Sequence, residues 1–147
     1  MKVVIQRVME ARVSVGEETI AGIGKGLLLL VGVGKGDTEK DVERLAGKII
    51  NVRIFGDDSG KMNLNIKQVN GEILSVPQFT LFGDVRKGNR PGFGQAAPPE
   101  IAVQLWQELN SALKKKNVSV KEGRFGAHMQ VKLVNDGPVT LCVDTDE

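Results

Sequence analysis

Apolar residues fall along this chain in distinct rhythms, and each rhythm predicts a kind of element. Val3, Ile5, Val8, Val13 and Val15 alternate loosely with polar neighbours. This predicts two short strands within residues 2–15, with an irregular join near Met9-Glu10-Ala11. Gly16-Glu17-Glu18 is a turn, and a glycine-rich passage from Ile20 to Lys25 leads into Gly26-Leu27-Leu28-Leu29-Leu30-Val31-Gly32-Val33. That unbroken apolar run predicts a strand buried on both faces. Such a strand needs a covering layer on each side, made of helices or of a second sheet.

Helical spacing appears in two places. Val42, Leu45, Ala46 and Ile49 form one stripe, behind Asp37 or Thr38 as the cap. Ala102, Leu105, Trp106, Leu109 and Leu113 form the other, on a helix from about Glu100 to Lys116. The remaining runs predict strands: Val52 to Phe55, a short one beginning near Leu64 and Ile66, Glu72 to Leu81, and Asn117 to Lys121. From Ala127 to Val134 the alternation is strict, with Ala127, Met129, Val131 and Leu133 on one face and His128, Gln130 and Lys132 on the other. Residues 83–99 read as a long loop, and loops of that length in a compact domain are usually functional. The order of elements predicts one mixed α/β domain.

The strict strand delivers the chain to Asn135-Asp136-Gly137-Pro138-Val139-Thr140, after which Leu141-Cys142-Val143 resumes the apolar pattern. Proline has no N–H, fixes φ and tolerates a cis bond before it far better than other residues do. Glycine relieves the restriction that proline places on its predecessor. Gly137-Pro138 can therefore present two carbonyls in a stiff geometry, although local composition favours a hairpin turn.

Composition narrows the chemistry. At 147 residues, 41% hydrophobic and 26% charged, the chain has the make-up of a soluble globular protein. A net charge of +2 implies no global polyanion field, so local groups matter more: Arg86-Lys87-Gly88-Asn89-Arg90, Lys114-Lys115-Lys116, and Lys121 with Arg124. The lysine triplet also suits the last turn of a helix, where the dipole favours cations. Cys142 is the single cysteine, which excludes an intrachain disulfide and a multi-cysteine metal site, and its apolar strand predicts a buried, inert thiol. The run Leu27 to Val31 is too short to span a bilayer, and the N-terminal residues are too polar for a signal peptide, so the cytoplasm is the expected compartment.

Phosphate loops fail on inspection. Gly32-Val33-Gly34-Lys35-Gly36-Asp37 lacks the Ser/Thr and the earlier glycine of a P-loop, and Gly22-Ile23-Gly24-Lys25-Gly26-Leu27 lacks the third glycine of a dinucleotide fingerprint. With a single histidine, neither a nucleophile–histidine pair nor a zinc centre is indicated. An enzyme built on this chain must catalyse a reaction that needs little from side chains. Hydrolysis of an activated ester, assisted by backbone N–H groups, is one.

Two stretches carry a family resemblance. Ser75-Val76-Pro77-Gln78-Phe79-Thr80-Leu81-Phe82-Gly83-Asp84, with Arg86-Lys87-Gly88-Asn89-Arg90-Pro91, resembles the first signature of the D-aminoacyl-tRNA deacylases (the D-tyrosyl-tRNA deacylase family). Gly126-Ala127-His128-Met129, continuing through Asn135-Asp136-Gly137-Pro138-Val139-Thr140, resembles the second. Val4-Ile5-Gln6-Arg7-Val8 and the segment from Asn51 to Asn63 extend the likeness to the whole chain.

The resemblance implies a cytosolic homodimer that hydrolyses D-aminoacyl-tRNA, and glycyl-tRNA in part, without metal or other cofactor. It implies a three-layer β/β/α arrangement with two curled sheets and two main helices. Gln78, Phe79 and Thr80 take the catalytic side and its backbone N–H groups, while Ala97, Phe125 and Met129 border the terminal adenosine. Gly137 and Pro138, through a cis bond, reach into the other subunit's pocket and exclude L-aminoacyl groups, and the ribose 2′-hydroxyl assists. Lys87 and Arg90 are candidate contacts to tRNA phosphates. One departure stands out: the family usually has serine before the glutamine, and here Pro77 occupies that position. A hydroxyl there is not essential, and Pro77 has no N–H to donate. The competing class is a non-catalytic RNA-binding module of the same fold; a metal-dependent hydrolase ranks third.

Overall fold

A strand of 14 residues, β1 (Lys2–Val15), ties the architecture together. The computed structural model describes residues 1–147. The first half of β1 lies antiparallel to β3 (Gly26–Gly32), and its second half lies antiparallel to β2 (Glu18–Ile23). On its other edge β1 pairs with β8 (Gln130–Asp144) along nearly its whole length. β6 (Glu72–Pro77) adds parallel to β3, and β7 (Ser119–Glu122) adds parallel to β6. The path runs β2-β1-β3-β6-β7 with β8 beside β1, and the sheet curls over until it is nearly closed. A two-stranded ribbon, β4 (Phe55–Gly56) with β5 (Met62–Leu64), stands apart.

Two cores lie on the two faces of β3. Leu27, Leu29 and Val31 join Val3, Ile5 and Ile73 under the helices α1 (Glu39–Asn51) and α2 (Pro99–Lys115). Leu28 turns the other way and joins Val8, Ala11, Val13, Ile23, Leu74 and Val76 inside the curl of the sheet. The strand buried on both faces is thus present, with helices covering one face and folded-over β structure the other, a three-layer β/β/α domain. α1 begins at Thr38, whose side chain accepts from the Lys40 N–H while Asp41 answers the Thr38 N–H.

Several local expectations are corrected. Residues 2–15 are one strand; the irregularity near Met9 is a register shift between Val8 and Glu10 that leaves Met9 unpaired and exposed. Residues 52–54 are irregular because the Val52 N–H closes α1 onto the Lys48 carbonyl and the Ile54 carbonyl accepts from Arg7. Ile66 lies beyond β5, in a turn where it is fully buried. The strand expected from Glu72 to Leu81 ends at Pro77, and a 3-10 turn, Phe79–Phe82, follows. Cys142 is exposed: alternation on β8 sends Leu141 and Val143 toward the helix-side core and Cys142 outward.

Gly26 shows how closely β3 and β6 approach. A Cβ there would lie 1.8 Å from the Glu72 carbonyl oxygen and 2.7 Å from its nitrogen, both backbone atoms that cannot swing aside. We expect Gly26→Ala to lower unfolding free energy by about 2 kcal/mol or more in urea titration, since relief requires moving a strand. A change within about 0.5 kcal/mol would show that the parallel pairing is not tight there.

Candidate active site

At the C-terminal ends of β3 and β6, between the sheet and the start of α2, is a cavity of about 750 Å³. Its floor is Val31, Val33, Val76 and Ala102, and Trp106 forms part of its wall. The Trp106 indole N–H donates to the buried Ser75 hydroxyl at 2.9 Å, which fixes the ring. Phe125 packs against it with centroids 6.1 Å apart. Met129 closes another side, its sulfur seated over Gly123, where a Cβ would come within 2.9 Å, and receiving the Arg124 N–H at 3.4 Å. Ala97 is held by its N–H to the Val33 carbonyl at 3.0 Å. The expected trio Ala97, Phe125 and Met129 therefore shares one cavity with Gln78 and Phe79.

The 3-10 turn at the mouth is clamped from below. Phe82 lies against Gly32 and Gly34, where added Cβ atoms would come within 3.1 Å and 2.7 Å of its ring. The Gln78 N–H completes the ladder to the Val31 carbonyl at 2.7 Å, so it is not free for substrate, contrary to the expectation from sequence. The Phe79 and Thr80 N–H groups open the turn and have no acceptor within it. The Gln78 side-chain amide donates to the Thr80 hydroxyl, and no imidazole or carboxylate is bonded to that hydroxyl. Phe79 is 56% exposed and meets Phe93 edge-on at 4.9 Å, so two aromatic rings stand at the mouth.

Gly137-Pro138 is not among the residues around this cavity. Its peptide bond is cis. The expected hairpin turn is also absent, because both flanks pair with the same strand: Gln6 faces Thr140 and Val8 faces Asn135. Asp136, Gly137, Pro138 and Val139 thus stand opposite Arg7 alone, looped out of the sheet. Arg7 holds the loop. It donates to the Asp136 carbonyl at 3.1 Å, pairs with the Asp136 carboxylate at 3.2 Å, and donates to the Ile54 carbonyl at 2.6 Å. Asn135 accepts the Val139 N–H at 3.0 Å. Gly137 has φ +127, and a Cβ would meet Val139 at 2.8 Å and Arg7 at 3.1 Å, so glycine is required on both counts.

Lys87 and Arg90 lie at the exposed end of the loop after the turn and form no ion pair, whereas Arg86 is engaged by Asp84 through two side-chain hydrogen bonds of 2.8 and 2.9 Å. A cluster of Asp37, Asp41 and Asp146 has the spacing of cation ligands, but it lies beside the Met1 ammonium, which pairs with Asp37 at 2.9 Å, away from the cavity's lining. The contacts of Arg7, the place of Phe93 and the cavity positions of His128 and Trp106 are features that sequence pattern alone does not mark. Arg7 falls within the Val4–Val8 resemblance, but its partners Asp136 and Ile54 are distant in sequence and leave no local signal. Trp106, on the apolar stripe of α2, is both core and cavity wall.

A family model described as D-Tyr-tRNA(Tyr) deacylase matches residues 4–144. A D-aminoacyl-tRNA deacylase of Thermosipho africanus (strain TCF52B) is 56% identical over 145 residues, covering 99% of this chain and 97% of the relative. One of Staphylococcus carnosus (strain TM300) is 54% identical over 147 residues, covering 100% and 97%. A solved structure described as c-Myc DNA Unwinding Element Binding Protein superposes with a TM-score of 0.93 at 43% identity, covering 99% of both chains. A probable eukaryotic D-amino acid tRNA deacylase superposes with a TM-score of 0.79 at 17% identity over 97% of both, a likeness of fold.

Asp84 provides a check on the loop geometry. The Arg86 guanidinium and the Arg86 backbone N–H together hold its carboxyl well below the usual range, at about 2. The pair is therefore intact above the ordinary carboxylate range and is lost as pH falls toward 2. An NMR titration should give the Asp84 carboxyl a midpoint near 2. In Arg86→Ala it should move back toward an ordinary carboxylate; an unchanged midpoint would show that Arg86 is not its partner.

Proposed function

The chain belongs to the D-Tyr-tRNA(Tyr) deacylase family, and on that premise we propose that it hydrolyses the ester between a D-amino acid and the 3′-terminal adenosine of tRNA. The observation that carries the reading is a largely apolar cavity lined by Phe79, next to a turn whose Phe79 and Thr80 amides have no acceptor in that turn and whose Thr80 hydroxyl, outside the lining, is bonded to no acid or base. An aminoacyl ester is already activated, so orientation and oxyanion stabilisation suffice. Water adds to the ester carbonyl while the Phe79 and Thr80 N–H groups receive the developing oxyanion. The bond to the ribose 3′-oxygen then breaks, that oxygen takes a proton with help from the neighbouring 2′-hydroxyl, and free amino acid and tRNA leave. The Thr80 hydroxyl, which lacks a base, positions the substrate and does not attack it.

The adenosine occupies the side bordered by Ala97, Phe125 and Met129. Stereochemical rejection comes from Gly137-Pro138 of a second copy of the chain, because the chain's own pair is looped out away from its own cavity. Phe79 and Phe93, packed together and exposed, support a homodimer in which that apolar face is covered. Lys87 and Arg90 are free to meet phosphates. No helix is long and apolar enough to cross a membrane, and with a tRNA substrate the cytoplasm is the proposed site of action. A second reading, nucleic-acid binding without hydrolysis, draws on the description of the 43%-identical neighbour as a DNA-element binding protein.

Incubation with D-Tyr-tRNA and L-Tyr-tRNA, scoring released tyrosine, separates the two readings: we expect release from the D-substrate only. Binding of both with release from neither would favour the second. Gly137→Ala should lower the D-over-L preference by about ten-fold or more; an unchanged preference would remove the pair from stereochemical selection. Thr80→Ala should lose about ten-fold in rate, whereas a true nucleophile costs roughly a million-fold. A loss of the larger size with tRNA binding intact would restore Thr80 as the attacking group.

A further inference from the structure

Lys35 has no part in the reaction as proposed, yet it supplies the one ammonium among the residues lining the cavity. His128 is the other titratable residue there, and no carboxylate contributes to the lining. Lys35 is exposed and forms no ion pair. The nearest carboxylate in sequence, Asp37, is engaged: one oxygen pairs with the Met1 ammonium at 2.9 Å, and the other accepts the Gly34 N–H at 2.6 Å.

The mounting of Lys35 is rigid. Its N–H donates to the Gln95 carbonyl at 2.9 Å, Gly34 bridges to Ala96, and Gly36 takes the positive φ of 85 that closes the turn. The run from Gly32 to Asp37 is not a phosphate loop, and the structure supplies the reason: the Gly34 and Lys35 amides already donate within the protein. The lysine side chain, by contrast, is left to meet an anion.

A cavity of this size and largely apolar lining suits a nucleoside with an amino acid attached. It does not suit a phosphodiester, whose charge would be buried unpaired. The phosphate on the 5′ side of the terminal nucleoside must then stay at the rim, where a cation carried on a rigid turn favours it. We infer that Lys35 binds the phosphodiester joining the terminal adenosine to the preceding nucleotide of the tRNA 3′ end. The inference rests on the deacylase reading.

The test compares two esters of one D-amino acid, D-Tyr-tRNA and D-tyrosyl-adenosine, which lacks that phosphate. For Lys35→Ala, the ratio of KM on the tRNA ester to KM on the adenosine ester should rise about ten-fold. The slope of log KM against log salt on tRNA should fall by about 0.7, the share of one phosphate on a single strand. Lys35→Arg should restore most of both. An equal rise in KM for both esters would make Lys35 a part of the cavity wall and overturn the assignment, as would no change in either. A parent protein that hydrolyses neither ester would overturn the deacylase reading, and this contact with it.

Discussion

The grip of Arg7 on the loop across from it is the interaction on which the rest depends. β1 and β8 run side by side for most of their length, and a regular ladder would leave no room for Gly137-Pro138 to project. At Arg7 the ladder opens, and one guanidinium meets the Asp136 carbonyl, the Asp136 carboxylate and the Ile54 carbonyl. A planar group with several fixed N–H donors can hold such a set; a lysine ammonium on a flexible stem holds it less well. The Arg7 side chain is 14% exposed, so its bonds to the two carbonyls are little weakened by water, while the Asp136 carboxylate, 43% exposed, adds less. The loop is thereby a rigid feature attached to the most heavily paired strand of the sheet.

Rigidity matters because the cavity itself has little chemistry. Its walls are mostly aromatic and aliphatic, with Lys35, Gln78 and His128 among the polar exceptions, and beside it is a turn clamped by Phe82 on Gly32 and Gly34. A site of this kind accelerates a reaction whose barrier is already modest, and it would do so for either stereoisomer of the ester. Discrimination must come from a surface that does not yield. A glycine held at φ +127 beside a proline, with Val139 and Arg7 at its back, is such a surface. In the proposed dimer the two requirements are divided between chains: one supplies the cavity and the other the wall.

Much of the scaffold was legible because its signals are local. Thr38 caps α1 as its position suggests, the stripe from Ala102 to Leu113 forms the buried face of α2, and the Leu27–Val31 run is covered on both sides. The failures are places where a distant partner overrides a local preference. Val52 to Ile54 has strand-like composition, but its backbone groups are taken by the end of α1 and by Arg7. Phe79 to Leu81 reads as strand until Phe82 finds its seat on Gly32, at the end of β3, and Gly34 just beyond it. Cys142 lies in an apolar run, yet the face it occupies is set by which edge of β8 meets the helices. The site divides the same way. Gln78, Phe79, Ala97, Phe125 and Met129 were found through motif resemblance, while Arg7 and Lys35 matter through tertiary placement that no local pattern encodes.

The central claim is that catalysis and stereochemical exclusion come from different copies of one chain. The direct measurement is a crystal structure of the protein with an amide-linked, non-hydrolysable D-tyrosyl-adenosine. The nucleoside should lie against Ala97, Phe125 and Met129, with the acyl carbonyl facing the Phe79 and Thr80 amides and the Gly137 and Pro138 carbonyls of a second copy against the amino-acid Cα. A monomer that binds the compound with no part of residues 136–139 near it would contradict the claim.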